Sequence, residues 1–152
     1  MHAIREILHP TDFSEGAEPA LAMALDLARQ FNALLTILHV YAAPVSMGLL
    51  GDGYTPTPEV LEQLKADTER GLEQFRRRAL ASGVRCVTAA VEGFVSEAIV
   101  AAAEARNIDL IVLGTHGRRG LNRFLLGSVA ERILRSASCP VLTVRESPRP
   151  KA

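Results

Sequence analysis

Residues 110–128 read Leu-Ile-Val-Leu-Gly-Thr-His-Gly-Arg-Arg-Gly-Leu-Asn-Arg-Phe-Leu-Leu-Gly-Ser. The four aliphatic residues Leu110 to Leu113, bounded by Asp109 and Gly114, suit a strand covered on both faces. A glycine- and arginine-rich loop over 115–127 follows, and Ser128 to Ser136 then reads as a short helix. A doubly covered strand that feeds a helix in this way is the repeating unit of a parallel α/β sheet.

The same alternation extends in both directions. Downstream, Val141 to Val144 reads as a last strand, followed by a tail, 147–152, expected to be disordered because Pro148 and Pro150 interrupt it. Upstream, Val95 to Arg106 reads as a helix whose apolar face is Ala98, Ile99, Ala102 and Ala103. Val84 to Glu92 precedes it as a strand. Pro58, at the first helical position, starts a longer helix with Leu61, Leu64, Thr68, Leu72 and Phe75 on one face; it runs to about Ala81 with Gly83 as its stop. Ala42 to Pro58 reads as a loop, long for a compact domain. Leu34 to Tyr41 is a near-continuous apolar strand. Leu21, Ala24, Leu25, Ala28 and Phe31 recur at helical spacing after Ser14, and Ile4 to His9 is a short strand stopped by Pro10.

Strands and helices thus alternate through one domain, 1–146, and the fold expected is a three-layer α/β/α sandwich on a parallel sheet. In this architecture ligands sit beyond the carboxyl ends of the strands, where the strand order reverses. The chain of 152 residues can bury roughly 70% of the surface its unfolded form exposes, enough for a core without staples. Its 17 basic residues balance 17 acidic ones, which argues against a general nucleic-acid or membrane-surface binder. No apolar run approaches the roughly 20 residues needed to span a bilayer. The amino terminus lacks signal-peptide architecture, so a cytoplasmic location is expected. Cys86 and Cys139 stand in no metal-ligand spacing and read as reduced, buried thiols.

Two loops follow strands in a way that suggests chemistry. After the fourth strand come Gly114 and Gly117, nine residues, then Gly127-Ser128 at a helix start. Glycine lets backbone amides approach an anion closely, and a helix amino terminus adds unpaired N–H groups and a favourable dipole. The same residues also suit an ordinary connection, with Ser128 and Glu131 as a capping box. After the first strand, Pro10-Thr11-Asp12-Phe13-Ser14 places Asp12 either to hold a divalent cation on phosphates and contact a nucleoside, or to cap the first helix with Glu15 three residues on. Walker-type loops need a Gly-Lys pair that the chain does not contain, and no G-x-G-x-x-G follows the first strand.

Together these motifs resemble the universal stress protein family. Gly114-x-x-Gly117, nine residues, Gly127-Ser128 resembles the family's ATP-binding motif; Pro10 to Ser14 resembles its first loop, and Pro140 to Val144 its closing strand. The resemblance runs from Ile4 to about Arg145. It implies a five-stranded parallel sheet of order 3-2-1-4-5, an adenine nucleotide alpha hydrolase-like arrangement that sets the two loops side by side. It implies ATP as the ligand. Pro10, Thr11, Asp12 and the backbone around Val40 would then face adenine or ribose. Gly114, His116, Gly117, Arg118, Gly127, Ser128 and Val129 would surround ribose and phosphates, with Asp12 reaching a phosphate-bound Mg or Mn. It also implies a homodimer through Val141, Leu142, Thr143 and Val144, which would cover an edge otherwise open to aggregation. Cys86 and Cys139, on strands at opposite edges of that sheet, would not meet.

No catalytic set accompanies the loops. Hydrolysis would need a group to orient water and electrophiles on the γ-phosphate. His116, Arg118, Arg119 and Arg123 are candidates, but the arginines read more simply as a cationic loop attracting phosphate. His9 and His39 read as core histidines satisfied by hydrogen bonds. The serine-glycine-glycine and His-x-Gly-His signatures of ATP-cleaving relatives in the superfamily are absent. The expected function is a nucleotide-dependent stress-response sensor or regulator with further protein partners. A slow metal-dependent ATPase or phosphotransferase, and an interaction module working through 42–58, are the alternatives.

Overall fold

A computed structural model describes residues 3–41, 56–116 and 126–146. The chain runs β1 (Glu6–Pro10), a 3-10 turn (Glu15–Ala17), α1 (Glu18–Phe31), β2 (Leu34–Tyr41), α2 (Pro58–Ala81), β3 (Cys86–Glu92), α3 (Val95–Ala105), β4 (Leu110–Gly114), α4 (Ser128–Ser136) and β5 (Val141–Val144). The strands form one parallel sheet of order β3-β2-β1-β4-β5.

Alternate residues of the central strands feed two separate cores, as the two-residue period of a strand requires. Ile7, Leu35, Ile37, Leu110 and Val112 face one side, where Leu21, Ala24 and Ala28 of α1 and Leu72, Phe75 and Ala79 of α2 cover them. Leu8, Leu38, Ile111 and Leu113 face the other, under Ile99 and Ala103 of α3 and Ala130 and Ile133 of α4. Among the described residues, no helix is long and apolar enough to cross a membrane.

The boundaries refine the sequence expectations. β1 begins at Glu6 and includes Pro10, which costs nothing there because the ladder resumes with the Thr11 amide donating to Leu38 O at 2.9 Å. β3 begins at Cys86, two residues late, because Val84 N–H instead closes the end of α2 on Ala79 O. Pro58 does open α2, with Thr57 Oγ1 accepting from Val60 N. Two residues expected on buried helix faces are exposed, Leu64 at 47% and Phe31 at 44%. Phe31 is the last residue of α1, and Leu64 lies in the amino-terminal third of α2, ahead of its buried residues Leu72, Phe75 and Ala79. The cysteines are half-buried rather than buried, one packed against each core. Most of the 42–58 loop and the 147–152 tail lie outside the described residues.

α2 carries Gly71 in its interior, where glycine costs about 1 kcal/mol relative to alanine. A Cβ built there would lie 2.8–2.9 Å from three carbons of the Phe13 ring, closer than van der Waals contact allows.

Candidate functional site

The sheet opens at its centre. β1 pairs with β2 as far as Pro10–Leu38, and β4 pairs with β5 as far as Gly114–Val144. Pairing between β1 and β4 ends earlier, at Leu8–Ile111. Beyond that point His9 replaces the ladder: its Nδ1 donates to Val112 O at 2.9 Å. This is the switch point of the strand order; Thr11 to Ser14 follow β1 there, and Thr115 and His116 follow β4.

The first loop is tied in place by its own backbone. His39 Nδ1 donates to Thr11 O at 2.9 Å, Phe13 N–H to Thr11 Oγ1 at 3.0 Å, and Ser14 N–H to Asp12 Oδ1 at 2.9 Å. The Ser14 hydroxyl donates to the same Asp12 oxygen. Asp12 therefore makes an Asx-type turn and does not cap a helix; Ser14 precedes the 3-10 turn and Ala17 is the N-cap of α1. An Asp with Ser two residues on and Glu three residues on suits either motif, and the adjacent amide is the shorter reach. Phe13 sits between them at φ 61°, a left-handed backbone that costs a residue with a Cβ about 1–2 kcal/mol. Its ring repays that strain by packing: it stacks on His39 at 4.7 Å between centroids and meets the Phe75 edge at 5.5 Å.

The second loop approaches the first through glycines. A Cβ on Gly114 would lie 3.0 Å from Gly16 O, and one on Gly16 would lie 3.1 Å from His116 O. A Cβ on Gly127 would lie 2.9 Å from Thr115 O, to which Gly127 N–H donates at 2.8 Å. Gly16 was not legible as a site residue, since its role depends on Gly114, nearly a hundred positions away.

Ser128 is the first residue of α4 and Gly127 the N-cap, so the expected capping box of Ser128 with Glu131 does not form. The first α4 amides consequently have no side-chain cap, which leaves them available to an anion. Val129 is exposed beside them. His116 Nδ1 lies 3.0 Å from Thr115 Oγ1, while its buried Nε2 has no hydrogen-bond partner among the described residues. Val40, at the carboxyl end of β2, is half-buried against the α3/α4 core. The structure thus brings Pro10, Thr11, Asp12, Val40, Gly114, His116, Gly127, Ser128 and Val129 to one end of the sheet. Gly117 and Arg118, like Arg119 and Arg123, lie outside the described residues.

Of the two histidines expected to be satisfied, His9 is only half so. It is fully buried, its Nε2 has no partner among the described residues, and burial lowers its pKa from 6.5 to about 4.

The sequence matches the model of the universal stress protein family over residues 3–145. The chain belongs to the universal stress protein family. A universal stress protein of Methanocaldococcus jannaschii is 37% identical over 142 residues, covering 93% of this chain and 82% of its own length. One from Bacillus subtilis is 32% identical, covering 92% and 98%. Among solved structures, the universal stress protein UspA of Lactobacillus plantarum superposes with a TM-score of 0.79 at 27% identity, over 95% of this chain and all of its own. A universal stress protein in complex with cAMP superposes with a TM-score of 0.71 at 26% identity, over 96% of this chain and all of its own. The universal stress protein fold and strand order are therefore those expected from the loops.

Proposed function

We propose that this universal stress protein binds ATP in the crevice between β1 and β4 and acts in the cytoplasm as a nucleotide-dependent regulator of the stress response. The observation that carries the reading is the parting of β1 from β4 beside the uncapped amino terminus of α4. Amides at such a terminus favour phosphate oxygens by geometry and by dipole. The glycines at 16 and 114 let the end of β4 lie closer to the turn after β1 than side chains would permit, and Gly127 lets the start of α4 lie against Thr115. A relative of the same fold in complex with cAMP supports an adenine nucleotide as the class of ligand.

In this reading Pro10, Thr11, Asp12 and Val40 receive the nucleoside. Gly114, His116, Gly117, Arg118, Gly127, Ser128 and Val129 receive the ribose and phosphates. The described residues contain no group of three His, Cys, Asp or Glu side chains that could hold a metal. Asp12 would therefore share Mg or Mn with phosphate and water oxygens rather than hold it in a protein cage. The same reading has two copies pair through the outer edge of β5.

Mass spectrometry of nucleotide released from freshly purified, denatured protein tests the ligand. ATP at close to one per chain is the expected result. Recovery of cAMP or AMP alone would replace ATP as the ligand, and recovery of no nucleotide, with no binding on titration, would end the proposal.

A further inference from the structure

We infer that Phe13 is a positioning residue for the proposed nucleotide site and that Gly71 of α2 is its receptor, so that the packing of α2 sets the shape of the first loop. Two features that are unfavourable in isolation meet at one contact. Phe13 holds a left-handed φ of 61°, and Gly71 interrupts a 24-residue helix. The glycine follows from the ring's location, because any Cβ at position 71 would overlap the ring at Cδ1, Cε1 and Cζ.

The ring has little room to retreat. His39 stacks on it at 4.7 Å, and Phe75, one turn beyond Gly71, meets it edge-on at 5.5 Å. His39 also donates to Thr11 O, and the Phe13 amide donates to Thr11 Oγ1. Moving the ring therefore disturbs the backbone on both sides of Asp12. α2 is in turn fixed to α1: Arg78 makes a two-pronged pair with Glu18 at 2.8 and 2.7 Å and lies over Phe75, 5.3 Å from the ring centroid. A continuous set of contacts runs from the α1–α2 pair through Phe75 and Phe13 to Thr11 and Asp12.

The inference rests on the nucleotide-binding reading for its affinity readout, and a second readout keeps it separate. Gly71→Ala is the test, because alanine favours the helix and the variant is expected to fold. ATP affinity by titration calorimetry should fall about fivefold to twentyfold. Amide hydrogen exchange at Ser14, whose N–H bonds Asp12, should quicken at least tenfold. In a Phe13→Leu background, Gly71→Ala should change both quantities less than twofold, since the ring it displaces is gone. Unchanged Ser14 exchange in Gly71→Ala would overturn the inference whether or not the protein binds nucleotide. So would an equal effect of Gly71→Ala in the Phe13→Leu background. If the wild type binds no ATP while Ser14 exchange still responds through Phe13, the function reading fails and the positioning role stands.

Discussion

His9 stands where β1 leaves β4, and its environment makes a prediction about acid stability. Its Nδ1 must carry the proton, because Val112 O can only accept. Protonating Nε2 would place a charge in a dry interior, which is why burial holds the pKa near 4. The native state then binds fewer protons than the unfolded chain between pH 6.5 and 4. Its stability is fully present above about pH 6.5 and is lost as pH falls through that window. Over the upper part of the window, from pH 7 to 5, the loss should be roughly 2 kcal/mol. Glu18, whose pKa is lowered by its hydrogen bond to Arg78, acts in the same direction only below its ordinary 4.5. His9→Asn keeps a donor for Val112 O and removes the titrating group. It should be less stable at pH 7, with urea midpoints nearly equal at pH 7 and 5. A variant that retains the wild-type pH slope would refute the assignment. Nothing in the sequence distinguished His9 from His39; the difference arises from the divergence of two strands about a hundred residues apart.

Among the elements, α2 shows most clearly what a hydrophobic pattern can and cannot reveal. Its ends were legible because Thr57-Pro58 and Gly83 punctuate the chain, and β2, α4 and β5 were legible for similar reasons of apolar run and flanking breaker. Its buried face was only half legible. A 24-residue helix is about 36 Å long, whereas the eight residues of β2 span about 27 Å, so one end of α2 overhangs the sheet. Leu64 keeps the helical spacing but is exposed and joins neither core. Leu72, Phe75 and Ala79 are buried in one of them. Leu72→Ala should therefore cost about 2–5 kcal/mol in chemical denaturation, while Leu64→Ala should stay within about 0.5 kcal/mol. Equal losses at both positions would mean that the amino-terminal half of α2 is also packed. The Phe13–Gly71 contact was hidden for another reason. Glycine at 71 reads as a weak helix position until a ring 58 residues away is seen to occupy its missing side chain.

For the whole molecule, the parallel order β3-β2-β1-β4-β5 leaves β5, among the described residues, with a strand partner on one side only. Ile111 N–H donates to Pro140 O and Thr115 N–H to Val144 O, so even-numbered residues of β5 face β4. The alternation of a strand then turns the backbone N–H and C=O of Val141 and Thr143 outward. An apolar edge with open backbone groups invites pairing with another chain, and a two-fold axis gives that pairing a closed end. We propose that two copies meet there. Thr143→Pro is the discriminating variant. It removes one outward N–H and leaves the bonds of residues 140, 142 and 144 to β4 in place, the edge position that a sheet tolerates for proline. Sedimentation should show a dimeric wild type and a monomeric variant, with the far-ultraviolet spectrum unchanged. A variant that stays dimeric would move the interface away from β5, and a wild type that sediments as a monomer would remove it. Because β5 lies beside the strand that ends at Gly114 and leads to His116, the monomeric variant also separates two uses of this end of the sheet. ATP affinity retained in the monomer would make the crevice self-sufficient within one chain, as the contacts of Gly16, Gly114 and Gly127 lead us to expect.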